Sequence, residues 1–324
     1  MHHPRQARDI MITRLVTLTP QTDVLDGIGI LLRNNVSGAP VLGADRDYLG
    51  VFSEKSSLQV YLELTSKALE RSTTERLPHV SDFMARRLVT LTPDMDALKA
   101  VGLLLRNHIS GAPVKDATGR YVGVFSEKTS MKAILDGAYD RVPACSVDAY
   151  TDRDPARLIS PQATLLDVIR LFMKTHFRRL PVVSEGYILG QVSRRDVLRA
   201  ADRYVAEAFA DQIPAVQGIG LLQSERVEGP SPSALTVERF MDRSAQTTAP
   251  DTDLLAIAMI FAHSPFRRLP VIDGEGRLMG QVSRRDLLQA IHEMVRKTEG
   301  PHQVLLYLSS VHDPAKEGNL PIEA

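Results

Sequence analysis

Phe177–Asp196 reads FRRLPVVSEGYILGQVSRRD, and Phe266–Asp286 reads FRRLPVIDGEGRLMGQVSRRD. The same sentence is written twice, each time with two pairs of adjacent arginines. An unpaired guanidinium is costly to bury, so these pairs are expected either on a solvated face or against something anionic. A solvated face is the expectation for Arg194/Arg195 and Arg284/Arg285, which open a helix whose first turn disfavours positive charge.

Working outward, the repetition is four-fold. Pro20, Pro93, Pro161 and Pro250 each precede a second proline by 20 residues, at Pro40, Pro113, Pro181 and Pro270. A glycine follows each second proline, at Gly50, Gly123, Gly190 and Gly280, and a serine stands three residues beyond it, at Ser53, Ser126, Ser193 and Ser283. Within each unit a short apolar segment leads into a helical stripe, such as Leu98, Val101 and Leu105 in DALKAVGLLLRN. Two short β-rich runs and a second helix follow. Each unit therefore reads β-α-β-β-α, an α/β (α+β) fold too small to cover both faces of its own sheet, so the units must pack in pairs.

The wording suggests which pairs. Units one and two share RLVTLTP, SGAPV and GVFSEK; units three and four share FRRLPV and GQVSRRD. This predicts one module of units one and two and another of units three and four. Linkers are expected between the units, with a Gly/Pro/Ser-rich insert over residues 212–235. The apolar VLLYL of the 298–324 tail is expected to add a strand.

Composition sets limits. With 39 basic and 39 acidic side chains the net charge is zero. Divided after Pro143, the halves carry 18 basic against 16 acidic and 21 against 23. Neither has the excess of a dedicated nucleic-acid binder. The lone Cys145 provides no internal disulfide or thiolate cluster. The start lacks a signal-peptide pattern, and the longest apolar run, Leu254–Ala262, is short of the ~20 residues of a membrane span. A cytoplasmic protein is expected. No P-loop, Gly-x-Ser-x-Gly or HExxH is present, and Asp152 and Asp154 of TDRD lack a third ligand. The expectation is a protein that is not an enzyme and needs no metal.

These units resemble the CBS domain, over residues 8–64, 80–137, 147–205 and 237–297. The resemblance implies four repeats in two Bateman modules, a layout similar to the gamma subunit of AMP-activated protein kinase. It implies a regulatory protein that binds an adenosine nucleotide (AMP, ADP or ATP) in the module of repeats 3 and 4. It further implies a homodimer acting on an effector protein in trans. In nucleotide-binding relatives, an Asp three residues after a Ser or Thr takes the ribose hydroxyls, and basic residues before the strand proline reach the phosphates. That pattern falls on Ser193/Asp196 and Ser283/Asp286, and on Arg178/Arg179 and Arg267/Arg268. Repeats 1 and 2 depart from it, with Ser56 and Thr129 in place of the Asp and no basic pair before the proline. Ser-x-x-Asp before an apolar run also resembles a helix capping box. Alternative readings are a nucleic-acid-interacting arginine face and a ligand-free structural adaptor.

Overall fold

A computed structural model describes residues 5–71, 76–139, 146–208 and 235–297. Cys145, most of the 212–235 insert and the VLLYL tail lie outside them.

Each repeat opens with a single turn and continues with a helix, a two-stranded hairpin and a second helix. Repeat 1 comprises α1 (Ala7–Ile10), α2 (Val24–Arg33), β1 (Gly38–Leu42), β2 (Tyr48–Ser53) and α3 (Glu54–Arg71). Repeat 2 comprises α4 (Val80–Phe83), α5 (Ala97–Arg106), β3 (Gly111–Lys115), β4 (Tyr121–Ser126) and α6 (Glu127–Tyr139). Repeat 3 opens on a 3-10 turn (Val147–Tyr150) and has a second at Pro155–Arg157, followed by α7 (Leu165–Lys174), β5 (Arg179–Ser184), β6 (Tyr187–Ser193) and α8 (Arg194–Ala208). Repeat 4 comprises α9 (Val237–Phe240), α10 (Leu254–His263), β7 (Arg268–Ile272), β8 (Leu278–Ser283) and α11 (Arg284–Lys297).

The apolar segment expected as a first strand adds one parallel bridge to each hairpin, at Leu18–Val41, Leu91–Val114, Ile159–Val182 and Thr248–Val271. The strand prolines suit this edge. Proline has no N–H to give, but its carbonyl still accepts, and those of Pro40, Pro113, Pro181 and Pro270 take N–H bonds from Leu18, Leu91, Ile159 and Thr248.

The pairing of repeats differs from the one the wording suggested. Repeats 1 and 4 exchange backbone bonds: Ile12 and Gln281 bond reciprocally at 2.9 and 3.0 Å, as do Val51 and Asp242 at 2.9 and 2.8 Å. Repeats 2 and 3 do the same through Ala85 with Gln191 and Val124 with Asp152, all at 2.9 Å. The four leading prolines are where this exchange docks. Pro20 accepts from Glu238, Pro93 from Asp148, Pro161 from Ser81 and Pro250 from Arg8, always from the opening turn of the partner repeat.

Glycine is needed at the same junctions because backbone meets backbone. A Cβ on Gly123 would stand 2.5 Å from the Asp152 carbonyl oxygen, and one on Gly50 would stand 2.6 Å from that of Asp242.

Helices make the other contacts. One apolar core joins repeats 1 and 3, with Tyr61, Leu58, Phe172 and Leu198 fully buried. There the Tyr61 hydroxyl donates to Asp202 Oδ1 at 2.7 Å. A second core joins repeats 2 and 4 through Leu104, Met131, Phe261 and Leu288. The four repeats thus form a closed ring in the order 1-4-2-3, with alternating sheet and helix seams. Likeness of wording marks like repeat types, and the structure puts unlike types together. A GVFSEK repeat always faces an SRRD repeat, so arginines find glutamates across the helix seams.

Candidate functional site: an arginine–glutamate centre and the cleft beside it

The arginine pairs are where the seams converge. Each SRRD serine caps its helix. Asp196 Oδ2 accepts from the Ser193 N–H at 2.9 Å and from Ser193 Oγ at 2.6 Å. Asp286 Oδ2 accepts from Ser283 in the same way, at 2.8 and 2.6 Å. With the Asp N–H returned to the serine oxygen in both cases, these are capping boxes. In repeat 2 a hydroxyl fills the same role, Thr129 Oγ1 accepting from the Ser126 N–H at 2.8 Å.

The arginines after these serines are not on a solvated face, contrary to expectation. Arg194 and Arg284 are buried. They lie over the Phe172 and Phe261 rings and close the C-terminal ends of the preceding helices. Arg284 donates to the carbonyls of Phe261 and Ser264 at 2.9 and 2.8 Å, and Arg194 donates to that of Thr175 at 3.4 Å. A cation at a helix C-terminus complements the helix dipole, which offsets part of the cost of burial. Arg195 and Arg285 cross the helix seams. Arg195 bonds Glu54 Oε1 at 3.1 Å and the Asn35 side chain. Arg285 donates to the Leu105 carbonyl at 2.6 Å.

The FRRLPV arginines divide their labour. The first of each pair reaches across a helix seam: Arg178 lies 3.4 Å from Glu54 Oε2, and Arg267 Nε 3.2 Å from Glu127 Oε2. The second reaches across a sheet seam: Arg179 donates to the Gly111 carbonyl at 3.4 Å and Arg268 to that of Gly38 at 3.1 Å. The guanidinium of Arg178 is pushed down to about 9 by burial and then by Arg267, with Glu54 opposing. Arg268 is pushed down to about 10 by burial and by Arg267. Burial also raises the Asp286 carboxyl, against the bonds from Ser283. Cations are thus crowded where solvent is scarce, and an added anion would be favoured there.

A cavity of about 430 Å³ opens beside this centre, between repeats 2 and 3 with one wall from repeat 4. Arg178, Arg179 and Arg267 of the expected site line it. Ser193, Asp196, Arg268, Ser283 and Asp286 are not among its lining residues.

Sequence reading passed over several groups that do line it: Glu127, Lys128, Lys132, Arg157 and His176. The signal for the glutamates was present, since Glu54 and Glu127 follow the frame serine in just those repeats that lack the arginines. His176 is held below the ordinary imidazole range by burial, then by Lys128 and Arg157. Arg157 Nη2 bonds Asp152 Oδ2 at 2.5 Å, and its guanidinium lies over the Phe177 ring. Asp152 is therefore part of an ion pair, and among the described residues no group of three His, Cys, Asp or Glu side chains is placed to hold a metal.

The family model for the CBS domain matches residues 7–56, 80–136, 147–203 and 237–293. The chain belongs to the CBS domain family. Among relatives of this CBS protein is the uncharacterized protein MJ1225 of Methanocaldococcus jannaschii, 24% identical over 283 residues, which span 85% of this chain and 95% of that one. The crystal structure of MJ1225, reported as a proposed archaeal homologue of g-AMPK, superposes with a TM-score of 0.37 at 23% identity, covering 88% and 99% of the two chains. The chloroplastic CBS domain-containing protein CBSX2 of Arabidopsis thaliana is 28% identical over 156 residues, 47% of this chain and 65% of that one. Its crystal structure in complex with AMP gives a TM-score of 0.34 at 31% identity, over 38% and 95% of the chains. No described helix is long and apolar enough to cross a membrane.

Proposed function

We propose that this CBS protein is a regulatory sensor of an adenosine-type ligand, and that the ligand seats in the cleft between repeats 2 and 3. The observation that carries the reading is the cavity of about 430 Å³ walled by Arg178, Arg179 and Arg267. Its volume lies in the range of small-molecule sites, and arginine suits phosphate oxygens. CBSX2 was crystallised with AMP, a property of that protein; the same ligand class is proposed here on the chemistry of the cleft.

This moves the proposed site from a repeat 3–4 module to the contact of unlike repeats. Arg178, Arg179 and Arg267 are assigned to phosphate. Ser193/Asp196 and Ser283/Asp286, with Arg268, are assigned to a sister position around the centre, where the caps leave each carboxylate's Oδ1 for ribose hydroxyls. AMP, ADP and ATP all fit the proposal. Homodimerisation, an effector in trans and a cytoplasmic setting belong to the same proposal. An arginine face for nucleic acid draws no support, because all eight arginines contact groups of the chain itself.

The test is a thermal-shift panel of adenosine, AMP, ADP, ATP and S-adenosylmethionine on the full chain. A ligand at 100 times its Kd adds about 2.7 kcal/mol, which for a unit of this size is a rise of about 5–11 °C. A panel in which no compound at millimolar concentration moves the transition by about 1 °C overturns the reading.

A further inference from the structure

The two seam glutamates are held unequally. Glu54 is gripped at both oxygens, Oε2 by Arg178 and Oε1 by Arg195. Glu127 is as deeply buried, at 3% exposure against 6%, but among the described residues only its Oε2 has a cation, Arg267 Nε at 3.2 Å and out of line for a hydrogen bond. Its Oε1 is buried without a hydrogen-bond partner among the described residues. A buried carboxylate oxygen left unsatisfied is costly, so this side chain is weakly anchored by its own fold.

Its surroundings explain why it is there. Glu127 lines the cleft beside Lys128 and Lys132, with Arg178, Arg267 and Arg284 also on the wall. Arg157 and Arg179 line it too, and seven cationic groups in one cavity repel one another unless something negative stands among them. Of the wall's other carboxylates, Asp152 is held by Arg157 and Asp154 caps the 3-10 turn.

We propose that Glu127 is a specificity-determining residue: its carboxylate occupies the place of a ligand phosphate, and a ligand must carry enough negative charge to displace it. The inference rests on the proposed ligand reading and deepens it. A neutral nucleoside brings no charge to the arginines and leaves Glu127 in place on Arg267. A single phosphate exchanges one anion for another. A di- or triphosphate can take Arg267 from Glu127 and still reach Arg178 and the lysines, so the cleft prefers polyphosphates. Because Arg267 belongs to repeat 4, displacing Glu127 also opens an ion pair across the helix seam between repeats 2 and 4. Charge recognition in one cleft is thereby felt in the neighbouring module.

The experiment is calorimetry on the full chain and on Glu127→Gln, with sodium tripolyphosphate, ATP and adenosine as probes. The expected result is binding of tripolyphosphate and ATP tighter by about tenfold in the variant, a ratio of about 1.4 kcal/mol, with adenosine unchanged. If Glu127→Gln does not fold, Glu127→Asp draws the carboxylate one methylene back from Arg267, and a gain in the same direction but smaller is expected. Tighter tripolyphosphate binding with no adenosine compound bound by either protein upholds the role of Glu127 and overturns the adenosine reading. Tripolyphosphate affinity unchanged in the variant overturns the role of Glu127, whichever nucleotides bind. A gain shared equally by adenosine overturns it too, since that is general loosening rather than loss of a competing charge.

Discussion

The 2–3 and 1–4 pairs are built to one plan and furnished differently. Both exchange their opening segments, dock on the leading prolines and need glycine at the crossing. Yet Lys132 in repeat 2 stands where repeat 1 has Gln59, and His176 in repeat 3 stands where repeat 4 has Pro265. The 3-10 turn that carries Arg157 in repeat 3 has no counterpart between Met241 and Pro250. The backbone plan is thus held constant while the charge of the cleft is free to vary.

The sharpest way to break the comparison is to cut the chain after Pro143. If unlike repeats are obligatory partners, residues 1–143 lack both the sheet partner of repeat 1 and that of repeat 2. Each half expressed alone should give no cooperative thermal transition, and the two together should restore it in a one-to-one complex. Two halves that each unfold cooperatively as monomers would show that like repeats can pair.

Next in size are the crossings. Gly123→Ala and Gly50→Ala force a methyl into a neighbouring carbonyl, and overpacking of this kind costs about 1–3 kcal/mol. Gly50→Ala should be the worse, since a positive φ of 157° adds backbone strain to an almost equally close approach. Urea midpoints would rank them, and equal, near-zero losses would mean that the strands separate easily.

A smaller effect sharpens the difference in charge. Lys132→Gln makes the 2–3 cleft resemble its sister and should weaken tripolyphosphate binding about two- to fivefold, the scale of one exposed ion pair. Gln59→Lys should leave the 2–3 cleft unaltered. Equal effects of both changes in calorimetry would erase the distinction.

The smallest concerns pH. The folded pKa of His176 lies below the ordinary value of about 6.5. Its contribution to stability is therefore present above 6.5 and lost as pH falls through the lower folded value. NMR titration should place the midpoint below 6.5, and His176→Asn should flatten the stability slope on that acid side. A midpoint at or above 6.5 contradicts the burial of the ring and its cationic neighbours Lys128 and Arg157.

Much of this was written plainly in the chain. The proline, glycine and serine frame gave four repeats because each frame residue meets a backbone demand: an edge carbonyl, a close crossing, a helix cap. The capping role of Asp196 and Asp286 was legible for the same reason, being local. The pairing was not legible, because shared wording in repeats 1 and 2 reports kinship rather than contact. The arginines were misplaced for a related reason. A solvated face is the cheap fate for a cation only when no anion is at hand, and Glu54 lies 124 residues from Arg178. Their complementarity could be seen only as a pattern across repeats, with SEK present wherever RR is missing.

The ring order 1-4-2-3 also governs how the chain is made. Repeats 2 and 3 can join as soon as the ribosome has delivered them, but repeat 1 must leave its sheet seam open until repeat 4 begins at Val237. At ~5–20 residues per second, that is on the order of ten to thirty seconds of exposure. A nascent chain in that interval carries an unfilled strand position that another nascent chain's repeat 4 could fill. Crowding of ribosomes on one message should therefore favour exchanged dimers, and slowing synthesis after repeat 1 should enlarge their share.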